Sequence, residues 1–268
     1  MKREIIPVIL AKNFLDFKKK LAVIKTLKPK PRWIQIDVVD GKFAPFKTLA
    51  NPKKIAILLG SRRSLASEKR RLKPAATFDF EVDLMVVDPL QHAKAWIQAG
   101  AKRILFHVEV FHKKIPSLKI REEPGELWDI IKYIKSRGVE VGPSLNAATP
   151  IGILEQYLAL PGSRKLQLAY HTPRRLKPAA TFDCILLLGV NPGRSGQPFQ
   201  RHVLKKIRAL RKKYPHLPIE VDGGVNLSNA EEILKAGATR IATASALHNA
   251  ASPQVAYQKF LKVADKFR

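Results

Sequence analysis

Cysteine is almost absent from the 268 residues, with Cys184 standing alone. A single thiol excludes an intramolecular disulfide and every cysteine-built zinc module, and it suits a reducing compartment. Acidic residues are also scarce, 22 Asp+Glu against 49 Lys+Arg, which leaves a formal net charge of +27. Long apolar runs are missing too. No window approaches the roughly 18 apolar residues of a membrane span. The apolar run at 5–10 is too short for a secretory signal and has no small-residue cleavage site. These absences point to a soluble, cytoplasmic protein with no membrane partner.

Aliphatic residues are plentiful: hydrophobic residues make up 46% of the chain, which excludes a disordered polycation. The length suits one large domain and needs no disulfide or metal staple to build a core. The basic residues are spread along the chain and are densest at 205–213. That stretch keeps an apolar stripe of Val203, Ile207 and Leu210, so it reads as an amphipathic helix with a basic outer face. Charge alone speaks to non-specific association. Nucleic acid is therefore not the expected partner, and a basic nucleic-acid-associated protein stands as a subordinate alternative.

Short β-rich runs at 5–10, 33–39, 80–86, 103–108, 140–145, 184–190, 219–221 and 240–243 alternate with amphipathic stretches. The latter lie at 16–27, 52–59, 89–99, 125–137, 150–158, 200–214, 229–236 and 253–267. Eight such pairs predict an α/β fold, a single (β/α)8 TIM barrel spanning 1–268. Asp88-Pro89, Thr149-Pro150 and Ser252-Pro253 each place a cap before a proline at the first helical position. Ser228 and Glu231 form a capping-box pattern, and Gly100, Gly138 and Gly237 stand where helices should stop.

Two internal similarities stand out. Residues 93–104 resemble 230–241, and Glu81-Val-Asp83 before the first matches Glu220-Val-Asp222 before the second, 139 residues on. Units three and seven are thus expected to be half-barrel counterparts. The decapeptide at 70–79 recurs unchanged at 174–183, an offset of 104 that does not fit the half-barrel spacing. Both copies are read as inserts in helix-to-strand loops, on the barrel face opposite an active site.

Period-two alternation puts Gln35, Asp37 and Val39 on one face of the second strand. An aspartate inside an apolar strand is costly unless it is paired or functional. Asp37, Asp83 and Asp222 share that character, near the carboxyl ends of three strands where barrels place their chemistry. Glycine-rich turns follow strands six and seven: Asn191-Pro-Gly193-Arg194-Ser195-Gly196-Gln197 and Asp222-Gly223-Gly224-Val225. Strand eight ends Ala242-Thr-Ala244-Ser245-Ala246. Such late turns hold phosphate through backbone N–H groups. The imidazoles of His112, His171, His202, His216 and His248 show no ligand spacing. His107 reads as structural and Cys184 as a small buried hydrophobe.

With Ile36-Asp-Val-Val-Asp-Gly41, Val190-Asn-Pro-Gly193 and Glu220-Val-Asp-Gly-Gly-Val-Asn226 in this order, the chain resembles the ribulose-phosphate 3-epimerase family over nearly its whole length. The resemblance implies a TIM barrel of the ribulose-phosphate-binding type and interconversion of ribulose 5-phosphate and xylulose 5-phosphate, a step of the pentose phosphate pathway. It implies Asp37 and Asp222 as the two acid/base groups flanking an enediolate. Substrate and phosphate contacts would come from Met85, Gly193, Arg194, Ser195, Gly196, Gly223, Gly224, Ala244 and Ser245.

The family binds a divalent metal, commonly zinc or iron, through two histidines and the two aspartates. Here Gln35 and Asp83 stand at the histidine positions, so the implied ligand set is Gln35, Asp37, Asp83 and Asp222. This all-oxygen set suits Mg²⁺ or Mn²⁺ better than Zn²⁺, with Fe²⁺ left open. Val8 replaces a serine, Val39 a methionine, Arg194-Ser195 a Phe-Gly pair and Ala244 a glycine. Three readings of the altered site follow: a harder metal, metal-free catalysis with Gln35 as hydrogen-bond donor, or a barrel that only binds sugar phosphates. A related decarboxylase is disfavoured because Asp37-Val-Val-Asp40 carries no lysine between its acids. The expected partner is a phosphorylated ketose, with a homo-oligomer left open.

Overall fold

The computed structural model describes residues 2–49, 51–60, 78–111, 125–154 and 182–267. Eight parallel strands close into a ring in chain order. They are β1 (Glu4–Ile9), β2 (Trp33–Val39), β3 (Asp79–Met85), β4 (Arg103–His107), β5 (Glu140–Leu145), β6 (Ile185–Leu188), β7 (Ile219–Asp222) and β8 (Arg240–Thr243). The ring is sealed by β1 on β8, where Glu4 faces Arg240 and Pro7 faces Thr243. This is the predicted (β/α)8 barrel.

The described helices are α1 (Phe14–Thr26), α2 (Pro52–Leu59), α3 (Pro89–Gln98), α4 (Gly125–Ser136), α5 (Val203–Lys213), α6 (Ala230–Lys235), α7 (Ser245–His248) and α8 (Pro253–Asp265). A 3₁₀ turn at Val108–Phe111 takes the residue expected to end β4, and another at Ile151–Leu154 stands where a helix was expected over 150–158. Residues 155–158 of that span lie outside the described residues. The four-residue α7 was not foreseen.

The strands are buried on both faces, as a parallel sheet wrapped in helices requires. The outward side chains of β2, Ile34, Ile36 and Val38, join the core beneath the helices. The inward ones include Gln35 and Asp37, set by register beside Glu81 and Asp83 of β3. On α5 the stripe Val203, Ile207 and Leu210 is buried, with Lys205, Arg208 and Lys212 outside. Two basic residues of that helix turn inward to backbone carbonyls. Lys206 donates to Asn146 O (3.1 Å), Thr149 O (2.5 Å) and Ala147 O, while Arg211 donates to Gly237 O (3.0 Å).

Helix punctuation follows the sequence at some ends and departs at others. Asp88 Oδ1 accepts from Gln91 N (3.1 Å), and Ser252 Oγ accepts from Val255 N (3.4 Å). Gly100, Gly138 and Gly237 end their helices at positive φ. The Ser228–Glu231 box does not form. Asn226 Oδ1 instead accepts from the backbone N–H (2.9 Å) and hydroxyl (2.6 Å) of Ser228, because its carboxamide reaches the turn first. Thr149 does not cap a helix but donates to Glu109 (2.5 Å).

Of the two decapeptide copies, 70–77 and 174–181 lie outside the described residues, as do His112 and His171. The described ends play matching parts. Phe78 and Phe182 are buried, and Asp79 and Asp183 donate their backbone N–H to Arg32 O and Val141 O as the chain reaches β3 and β6.

Candidate active site

The barrel interior is acidic in its upper layer and ionic below. In the lower layer Arg103 bridges Glu81 and Glu140, the latter at 2.7 Å, and lies 4.0 Å from the Trp33 ring centroid. Arg240 donates to Glu4 (3.1 Å) and sits 4.0 Å from Glu220. Cys184 is buried in this layer, as expected, and its burial pushes the thiol up to about 12.

Above that layer, Asp37, Asp83 and Asp222 converge, each offering a carboxylate oxygen within 4.8 Å of the others. Gln35 joins two of them through one amide nitrogen, donating at 2.8 Å to Asp37 Oδ1 and at 2.8 Å to Asp222 Oδ2. Asp222 Oδ1 also accepts from Gly223 N (2.7 Å). Burial, reinforced by Asp222 and Asp83, holds the Asp37 carboxyl well above the usual range. Burial and the charge of Asp83 push Asp222 up to about 7, against the bonds from Gln35 and Gly223. Both carboxyls are thus raised, first by burial and then by neighbouring acids, which favours the protonated form of each.

Asp83 is handled differently. Ser144 Oγ donates to its Oδ1 (2.7 Å), and His107 Nε2 stands 3.6 Å from its Oδ2. The other nitrogen of His107 meets Glu109 Oε2 at 3.2 Å. Burial opposes a charge on His107, but Asp83 and Glu109 outweigh it and raise the pKa to about 10, so the ring is an imidazolium. Glu109 also accepts from Asn146 N (2.7 Å) and from Thr149; the bond and charge of His107, then these two, keep it below the usual carboxylate range despite its burial. The His107 ring packs on Phe43 with centroids 4.7 Å apart. Asp40 fixes that loop by accepting from Lys42 N, Phe43 N and Val87 N. The second aspartate of the Asp-x-x-Asp-Gly stretch is therefore a loop brace.

Over this floor opens a cleft with about 530 Å³ of open space, its solvent mouth included. Asp37 and Asp222 reach it, each 6% exposed, whereas Gln35 and Asp83 are sealed beneath at 0%. All nine residues expected at the substrate line this cleft, including Met85, the turn from Gly193 to Gly196, and Ala244 with Ser245. The turn after β7 needs glycine twice. Gly223 has φ +90° and Gly224 φ +69°, and a Cβ on Gly224 would lie 2.6 Å from Phe199 N.

The four residues of the implied ligand set come together. Gln35 Oε1 is buried without a hydrogen-bond partner, and Asp83 Oδ2 has only the longer ion pair to the His107 ring at 3.6 Å. Such oxygens, amid more buried acid than base, are what a bound divalent cation relieves, and an oxygen-only set fits a hard ion. Sequence reasoning missed Ser144, Glu109 and the charge on His107. The His107-x-Glu109 spacing was the one available signal.

The ribulose-phosphate 3 epimerase family matches residues 4–160 and 165–248. A ribulose-phosphate 3-epimerase of Schizosaccharomyces pombe is 30% identical over 251 residues, covering 94% of this chain and 89% of that protein. One from Synechocystis is 32% identical over 222 residues, covering 81% and 76%. Among solved structures, 3-hexulose-6-phosphate synthase from Salmonella typhimurium superposes with a TM-score of 0.61 at 12% identity, covering 99% of this chain and 100% of that one. KGPDC from Streptococcus mutans gives 0.60 at 13% identity, covering 100% and 99%. These two likenesses carry the fold alone. With the match spanning most of the chain, this protein belongs to the ribulose-phosphate 3 epimerase family.

Proposed function

We propose that this protein epimerises ribulose 5-phosphate and xylulose 5-phosphate with Asp37 and Asp222 as its acid/base pair. The observation that carries the reading is the pairing of these two carboxylates on the cleft floor through the Gln35 amide. The hydrogen on C3 of the ketose is acidic because it lies next to the C2 carbonyl. The ionised aspartate removes it, the C3–H pair becomes the C2=C3 bond while the carbonyl π pair moves onto O2, and an enediolate forms. The protonated aspartate delivers a proton to the opposite face of C3, and the pair exchanges roles in the reverse direction. Carboxylates raised toward neutrality are better bases than a free aspartate near 3.9. Gln35 holds both oxygens in place while protonation alternates between them.

The phosphate is assigned to the cleft end formed by Gly196, Gly223, Gly224, Ala244 and Ser245, where Arg194 adds charge from the loop. Asp37, Asp83 and Asp222, with Gln35 Oε1, would hold a hard divalent cation such as Mg²⁺ or Mn²⁺. When bound, it would polarise the ketone and stabilise negative charge on its oxygen.

The test is turnover of ribulose 5-phosphate by purified protein, stripped of metal and then supplied with Mg²⁺, Mn²⁺, Zn²⁺ or Fe²⁺, with Asp37→Asn and Asp222→Asn alongside. Turnover lost in both variants is the expected result. No turnover with any metal, alongside retained binding of the sugar phosphate, would replace the reading with a binding-only barrel.

A further inference from the structure

Beside the cleft lies a second chamber with about 450 Å³ of open space. The two share part of their wall, including Ser195, Gly196, Ala244 and Ser245. The chamber's remaining polar wall includes Lys20 and His248. Lys20 rises from α1 with its side chain 27% exposed, and its ammonium donates to Leu10 O (2.5 Å) and Asp16 Oδ2 (3.0 Å). An ammonium has three donors, so one is left over. His248 Nε2 donates to Val8 O (2.8 Å), while its buried Nδ1 has no hydrogen-bond partner. The chamber therefore combines a cation with a spare donor, two serine hydroxyls and a buried acceptor that wants an O–H. A phosphomonoester matches that set: its oxygens accept from the ammonium and hydroxyls, and its monoprotonated form supplies the O–H.

We propose that Lys20 is a specificity-determining contact that reaches the phosphomonoester end of a ligand in the adjoining cleft, with Asp16 as the internal anion it gives up. This rests on the placement of the phosphate in the proposed function. Asp16 and the incoming phosphate compete for one ammonium, which makes the two neighbouring residues act in opposite directions.

The test measures inorganic phosphate binding to the full-length protein by titration calorimetry and KM for ribulose 5-phosphate, in wild type, Lys20→Met, Lys20→Arg and Asp16→Asn. Lys20→Met is expected to weaken phosphate about tenfold, the worth of one charge-assisted hydrogen bond, and to raise KM by the same factor while moving kcat less. Lys20→Arg is expected to restore most of this, and Asp16→Asn to tighten phosphate about threefold. A lysine that only braced the end of β1 through Leu10 would lower the melting temperature and kcat instead, and Asp16→Asn would not tighten binding.

Unchanged phosphate affinity in Lys20→Met overturns the proposal, as does a wild type that binds no phosphate. A wild type that turns over no sugar phosphate yet binds phosphate through Lys20 defeats the catalytic reading and leaves this one standing. Turnover with an unaltered KM in Lys20→Met does the reverse.

Discussion

The units β3–α3–β4 and β7–α6–β8 are built on one plan and finish differently. In each, a glutamate two residues before an aspartate points into the barrel, Glu81 before Asp83 and Glu220 before Asp222. In each, the next strand opens with an arginine in register with the glutamate, Arg103 opposite Glu81 and Arg240 opposite Glu220. Ala93 and Ala230, aligned in the sequence repeat, are both buried. Four residues beyond the arginine the two diverge, to His107 in the first and Ala244 in the second. His107 and Ser144 close over Asp83 and leave it sealed. Ala244 is small, and Asp222 reaches the cleft. One scaffold thus yields a pinned acid and an open one, and the choice lies in what stands above the shared aspartate position.

The sharpest way to break this comparison is at the aspartates. Asp222→Asn is expected to lower kcat for ribulose 5-phosphate about 10³-fold, the scale of a lost acid/base group, with little change in melting temperature. Next come the arginines. Arg103→Met strands Glu81 in the interior and is expected to cost about 3–4 kcal/mol in urea unfolding. Arg240→Met should cost about 1–2 kcal/mol, since Arg240 has no close bond to Glu220 and its partner Glu4 is partly exposed. Equal losses would mean the two ion pairs are equivalent after all.

Ser144→Ala tests the pinning of Asp83 and should cost about 1–2 kcal/mol, because Oδ1 loses its donor inside the barrel. The smallest effect is on pH. Burial lowers the pKa of His248, so the unfolded chain protonates it first. Its contribution to stability is therefore complete above an unfolded pKa of about 6.5 and is lost as pH falls toward the folded value. Between pH 7.5 and 5.5, His248→Phe should lose less stability than wild type, by under about 1 kcal/mol.

Much of the ring was legible because its signals are local. The bounds 33–39, 140–145 and 240–243 match β2, β5 and β8, where apolar runs meet clear turn residues. Asp37, Asp83 and Asp222 stood out because an acid inside an apolar strand needs a reason. What escaped depended on partners far along the chain. Ser144 gains its role from Asp83, 61 residues away; Gln35 was singled out, but its bridge to Asp222, 187 residues away, was not. Lys206 looked like one more surface charge on a basic helix, yet three carbonyls of the turn after β5 surround its ammonium. The capping box at Ser228 failed for the opposite reason, a local competitor in Asn226 that a four-residue pattern does not weigh.

The join between β1 and β8 has a consequence for how the chain assembles. Every other strand pair links neighbours in sequence, whereas Glu4 meets Arg240 across 236 residues. Bringing such distant ends together costs about 2 kcal/mol more chain entropy than joining adjacent strands, since the penalty grows with the logarithm of the loop. Curling by successive neighbours shortens that search, because each added strand carries the ends closer. The ring is thus expected to grow as an open, twisted sheet and to close late, with the backbone amides along β1 and β8 the last to become protected from exchange.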